Sequence, residues 1–172
     1  MKISLRPITL SDTQNLIKWR NDERVINHCL SRATITEDSH REFYKDNIET
    51  AKYKQFIVEC LVEGFPIIYP IATVYLKDMD YTNKRCELCV FTSTDTEWEP
   101  ENQSLAIKML VDKAFNEYGM HKVYSYVFSK FPDEVELLKN AGFSAEAILK
   151  EEALNAEGKY EDLIRLSIIN TK

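Results

Sequence analysis

Three groups of residues in this chain have types and spacings that chemistry could use. The first is Cys86 and Cys89 in "CELC", the Cys-x-x-Cys spacing of many metal and redox sites. The run "CELCVF" reads as a strand, however, and three-residue spacing on a strand sends two side chains to opposite faces. No second cysteine pair or histidine pair completes a zinc site. Cys29, Cys60, Cys86 and Cys89 are therefore expected to be packing residues, and no metal is expected. The second group is His28 beside Cys29, a base next to a nucleophile. Sequence neighbours need not face each other, and no third group that would orient them is evident. The third is the stretch "STDTEWEPENQSLAIKMLVDKAFNEYGMHKVYSYVF", residues 93–128. A loop entering a helix can hold a phosphate on free amides at the helix start, which needs glycines and positive potential. This loop has no glycine, and Asp95, Glu97, Glu99 and Glu101 oppose an anion.

The elements that must position these residues follow from local pattern. "ISLRPI" alternates as a first strand. "SDTQNLIKWRND" starts a helix, with Ser11 and Gln14 at capping-box spacing. "TEDSHREFYKDNIE" is a second helix with Thr36 as N-cap. "KQFIVECLV", "IATVYLKDMD" and "KRCELCVFTS" form a three-stranded antiparallel meander, and Pro70 marks a bulge or strand edge. Ile107, Leu110, Val111, Ala114, Phe115 and Tyr118 define one buried face of the next helix, and Gly119 stops it. "HKVYSYVF" is a strand that places Tyr124 and Tyr126 on one face. "PDEVELLKNAGF" is a short helix ended by Gly142, and "SAEAILKEEAL" and "YEDLIRLSII" form a closing hairpin around "NAEGK". His40 and His121 are read as solvated residues at helix ends.

The 172 residues suit one domain with its own core, residues 1–172. A hydrophobic content of 44%, with only 4 Gly, argues against disorder and long linkers. The net charge of −6 argues against nonspecific nucleic-acid binding and mildly suits a cationic amine. "MKISLRPITL" lacks the apolar core of a signal peptide, and no run reaches the length of a membrane span. The expectation is a cytoplasmic protein with no membrane or nucleic-acid partner.

With these elements in order, the chain resembles the GNAT superfamily of acyl-CoA-dependent N-acetyltransferases, in the branch of ribosomal-protein alanine and spermidine acetyltransferases. The resemblance rests on "LRPITLSDTQNLIKWRND", "IATVYL", "CELCVFTSTDTEW", "KAFNEYGMHKVYSYV", "LLKNAGF" and "EGKYEDLIRLSII", six segments in the family's order along nearly the whole chain. It implies an α/β (α+β) GNAT fold, a mixed sheet of about seven strands flanked by about four helices. A V-shaped gap between two parallel central strands would hold the acetyl-CoA arm, against Cys89, Val90 and Phe91. It implies acetyl transfer from acetyl-CoA to a primary amine of a small molecule or peptide N-terminus, with acetyl-CoA as co-substrate and a homodimer as the family's common assembly.

The resemblance also implies roles. Glu87 stands where the branch often has its general base. The pyrophosphate would sit on Glu101, Asn102, Gln103, Ser104 and Leu105, with amides of residues 102–105 as donors. Trp19, Arg20 and Asn21 would lie on the acceptor side; Tyr124 and Tyr126, sharing one face of the second gap strand, would either line the acceptor pocket or pack in the core. The chain departs from the family at several points. Glu101 and Gln103 replace the two loop glycines, and Pro100 removes an amide donor. Phe131 stands at a frequent asparagine among the cofactor-binding positions. Leu138 stands where many members have an acid tyrosine. Two inward carboxylates, at about 1 kcal/mol each at 4 Å in water, would cancel the roughly 0.3–1 kcal/mol that a helix start offers an anion. Hence an alternative expectation: a degenerate GNAT fold that does not bind CoA normally and serves as a binding or structural module.

Overall fold

A computed structural model describes the chain except for Met1, Glu63, Pro66, Phe91, Thr92 and Lys172, and except for the side chain of Lys2. The elements run β1 (Lys2–Pro7), α1 (Thr13–Arg20), α2 (Glu23–Ile26), α3 (Glu37–Phe43), β2 (Lys54–Leu61), β3 (Ile68–Asp80), β4 (Arg85–Val90), α4 (Pro100–Asp112), β5 (Lys122–Phe128), α5 (Pro132–Asn140), β6 (Ser144–Leu154) and β7 (Tyr160–Ile169). Both α3 and α4 continue as a wider π turn, through Ile48 and Glu117 respectively. The order matches expectation with one addition. The single turn α2, capped by Asp22 accepting from the Arg24 amide, makes five helices among the described residues rather than four.

The seven strands form one sheet in the order β1-β2-β3-β4-β5-β7-β6. Every pairing is antiparallel except β4 with β5. The register slips opposite Pro70, which lacks the donor a regular ladder needs. Both faces of the sheet are covered, and the period of two along a strand shows how. Phe56 and Val58 of β2 face the main core with Ile107 and Leu110 of α4. Ile57 between them faces the other way, against Ile8, Leu16 and Trp19. The expected face of α4 is buried at Ile107, Leu110, Val111 and Ala114.

Chain reversals follow the expected residues in most places. Gly119 and Gly142 adopt positive φ after α4 and α5. Thr36 caps α3 by accepting from the Ser39 amide at 3.2 Å. The expected cap pair Ser11 and Gln14 is corrected. Asp12 accepts from the Thr9 amide and hydroxyl, and Gln14 instead donates to Glu37. Asp12 also takes two hydrogen bonds from Arg6, at 2.8 and 2.6 Å, tying β1 to the start of α1. The expectation for His40 is also corrected, because its ring is buried rather than solvated.

Candidate active site

The site begins where two strands part. β4 and β5 are paired at Arg85 with Lys122, Cys86 with Val123 and Glu87 with Tyr124, and at no later position. Beyond Glu87 each strand stays paired only to its outer neighbour, β4 to β3 and β5 to β7. The facing edges of Leu88–Val90 and Ser125–Val127 therefore carry ladder groups with no strand opposite, a setting that suits the amides of an extended ligand. A cavity of about 220 Å³ lies here, walled by Cys89, Val90, Ser125 and Val127 of the two strands and by Ile107 of α4 and Leu138 of α5.

Glu87 sits at the apex and is 6% exposed. Its Oε2 lies 3.4 Å from Lys77 Nζ on the neighbouring strand, and its Oε1 accepts from the Cys89 thiol at 3.3 Å. Burial pushes the Glu87 carboxyl above the usual carboxylate range, and Lys77 pulls it back without cancelling that effect. For Lys77 burial works to lower the pKa, but the acidic groups around it, Glu87 among them, outweigh that effect and hold the ammonium. Burial also pushes the Cys89 and Tyr75 groups well up, so both stay protonated. Such a carboxylate can take a proton from a nearby ammonium or amine.

The two cysteines of "CELC" do face apart. Cys86 is buried in the core, whereas Cys89 lines the cavity with Cys29. All four cysteines are free, and no cluster of metal-ligating side chains occurs among the described residues. The Cys29 thiol donates to the Val25 carbonyl at 3.3 Å, so it is not paired with His28. His28 Nδ1 instead pairs with Glu134 Oε1 of α5, and its ring stacks on Phe131 at 3.9 Å. Phe131, expected among the cofactor-binding residues, thus backs His28 and is absent from the cavity wall.

The expected acceptor residues divide. Arg20 is 5% exposed and lines the cavity, donating to the Ser31 carbonyl at 3.0 Å. Trp19 does not line it and belongs to the small core under α1. Asn21 exchanges two hydrogen bonds with the Ile35 backbone and so fastens the loop before α3. Tyr126 lines the cavity, and Arg165 lies over both Tyr124 and Tyr126, at 4.2 and 5.6 Å from their ring centres.

At the start of α4 the expected donors are corrected. The helix begins at Pro100, so the Gln103 amide is already bonded to the Glu99 carbonyl at 2.9 Å, and Ser104 and Leu105 lie within the helix. The orphan amides of the first turn are those of Glu101 and Asn102. Glu99 and Glu101 are exposed, so neither carboxylate is held against a ligand at this helix start. The side chains of Asn102 and Gln103 turn back to the Glu97 and Trp98 carbonyls, each at 2.7 Å. Of residues 101–105 only Gln103 reaches the cavity wall, and Leu105 is exposed. Phe91, the last expected strand contact, lies outside the described residues.

Lys77, Tyr53, Tyr75 and Glu134 also line the cavity, and no sequence motif points to them. Lys77 is directly across from Glu87 in the β3–β4 register, and Tyr75 is across from Cys89. Only knowledge of that register could have found them, because no local motif carries it.

The model of the acetyltransferase (GNAT) domain family matches residues 2–144, and the chain belongs to that family. It is an acyl-CoA-dependent N-acetyltransferase with the GNAT fold. It is similar to the spermidine N(1)-acetyltransferase of Escherichia coli (strain K12), 23% identical over 171 residues covering 96% of this chain and 85% of that one. Among solved structures it is similar to spermidine N-acetyltransferase from Vibrio cholerae in complex with CoA and spermine. The TM-score is 0.88 at 23% identity, over 99% of this chain and 96% of that one. A mutant form of the Vibrio cholerae enzyme gives a TM-score of 0.80 at 22% identity, over 97% and 93% of the two chains.

Proposed function

We propose that this chain acetylates a primary amine of a small molecule from acetyl-CoA, with Glu87 as the general base. The observation that carries this reading is the parting of β4 and β5 immediately after Glu87, which places a buried carboxylate at the closed end of an open backbone edge. The backbone of Cys89 and Val90 on one side and of Ser125 and Val127 on the other would hold the pantetheine amides. The Glu101 and Asn102 amides at the start of α4 would receive the pyrophosphate.

Acetyl-CoA when bound would supply a thioester, whose carbonyl carbon would bond the amine nitrogen as the carbon–sulfur bond breaks and CoA leaves as a thiolate that takes its proton from solvent. Glu87 accepts the proton that the amine sheds. Lys77 stays positive beside it and favours the carboxylate form. Leu138 offers no proton, but a thiol with an ordinary pKa of about 8.5 leaves without strong acid assistance. The spermidine enzymes among its relatives make a polyamine one candidate acceptor, and the net charge of −6 suits a cation.

The test is thiol release from acetyl-CoA with a panel of primary amines, for the unmodified chain and for Glu87→Gln. Turnover with at least one amine, lost by about 100-fold or more in the variant, supports the reading. Equal rates for the two proteins would remove Glu87 from the role.

A further inference from the structure

A second cavity of about 280 Å³ adjoins the first, and the two share Arg20, Ser31, Tyr53 and Tyr75 in their walls. Beyond that shared rim it is walled by Leu16 of α1, Ile35 of the loop before α3, and Phe43 of α3. Phe43 meets Tyr53 edge-on with ring centres 5.1 Å apart, and Tyr53 stacks on Tyr75 at 5.5 Å. Three rings thus run in contact from α3 to β3. These rings and Ile35 are only half-buried, so their carbon surface is open to a ligand.

The polar side chains of this wall are held by the protein itself. His40 is buried with Nδ1 at the Thr13 hydroxyl, and its Nε2 is closed off from the cavity. Gln55 is buried and donates to Thr73, and Ser39 donates to the Thr36 carbonyl. No Asp or Glu lines the cavity among the described residues. An ammonium placed here would lose water without gaining a carboxylate, which is costly. An aromatic ring would instead trade water for carbon contacts and offset stacking. Space is sufficient, because an apolar cavity of about 150 Å³ already takes a benzene.

The register sets the reach. Lys77 lies beside Glu87, and Tyr75 stands two residues back on the same face of β3. At the rise of a strand that separation is about 7 Å, so a nitrogen beside Glu87 and a ring beside Tyr75 are joined by a linker of about two carbons.

We infer that the second cavity receives the tail of the acceptor, and that this tail is an uncharged aromatic ring: the acceptor is an arylalkylamine, not a polyamine. This rests on the acetyltransfer reading for the amine end, but occupancy of the cavity can be read without turnover.

Phenethylamine, propylamine and spermidine are compared as acceptors of the unmodified chain with acetyl-CoA. The expected result is a kcat/KM for phenethylamine at least tenfold above that of each of the other two. A smaller margin or the reverse order overturns the assignment. Separately, nuclear Overhauser contacts are sought between the ring protons of phenethylamine and those of Phe43 in the unmodified chain. Their presence supports the subsite, and their absence overturns it. In Phe43→Asp, which puts a carboxylate in the wall, the ratio of kcat/KM for spermidine to that for phenethylamine should rise at least tenfold. An unchanged ratio contradicts the role. If no amine releases thiol, the acetyltransfer reading fails and the Overhauser contacts alone decide the subsite.

Discussion

Lys77 and Glu87 face each other across β3 and β4, with Nζ 3.4 Å from Oε2, at the last position where β4 still pairs with β5. The pair combines a buried carboxylate with a cation that limits how far burial can raise its pKa. Glu87 must be ionised to accept a proton, so activity should rise with pH through a midpoint above the ordinary glutamate value of about 4.3. Lys77→Met removes the charge that lowers the Glu87 pKa. The rising limb of kcat/KM should therefore move to higher pH in that variant. A pH profile with an unmoved limb would show that Glu87 is not the group being read.

The start of α4 makes a second prediction. Gln103 stands at a position where the family has glycine, reaches the cavity wall and is tied to the Trp98 carbonyl. Glu101→Gly with Gln103→Gly should lower the Kd for CoA by several-fold, mainly through residue 103, since Glu101 is exposed and solvent screens its charge. Fluorescence or calorimetric titration reads this directly. Unchanged or weaker binding would mean that Gln103 does not crowd the donor.

Trp19 separates a packing role from a substrate role. It is 3% exposed among Ile8, Leu16 and Ile57. Trp19→Phe should lower stability by about 1–3 kcal/mol in a denaturant titration while leaving KM for the amine unchanged. A raised KM with full stability would return Trp19 to the acceptor side.

The Arg6–Asp12 pair should show in acid. Burial works to raise the Asp12 pKa, but hydrogen bonds from Arg6 and Thr9 outweigh it, and the folded value lies below the reference value of 3.8. The unfolded chain then binds the proton more tightly, so the stability from Asp12 is present above about pH 4 and is lost as pH falls through the folded value. Arg6→Leu strands a buried carboxylate and should cost about 2 kcal/mol at pH 7, read by urea unfolding. It should also raise the Asp12 pKa, moving the acid transition to higher pH.

These cases mark what local pattern can and cannot carry. Glycines at the ends of α4 and α5, the face of α4 and the closing hairpin are set by neighbours within a few residues, and all were legible. Glu87 and the parted strands were legible through family resemblance, which supplied the strand order. Lys77, Tyr75 and Glu134 join the site by register and tertiary packing, and nothing in their immediate sequence announces it. A histidine near a helix end is usually solvated, whereas here α1 supplies Thr13 to cover His40. The free amides lie earlier than expected because the helix starts at Pro100, and regular helical bonding uses the Gln103 amide.

The gap beyond Glu87 is proposed to hold acetyl-CoA despite the missing glycines. Calorimetric titration of acetyl-CoA into the unmodified chain tests it most directly. Saturable binding with a submillimolar Kd is expected. No heat of binding up to millimolar acetyl-CoA would contradict it.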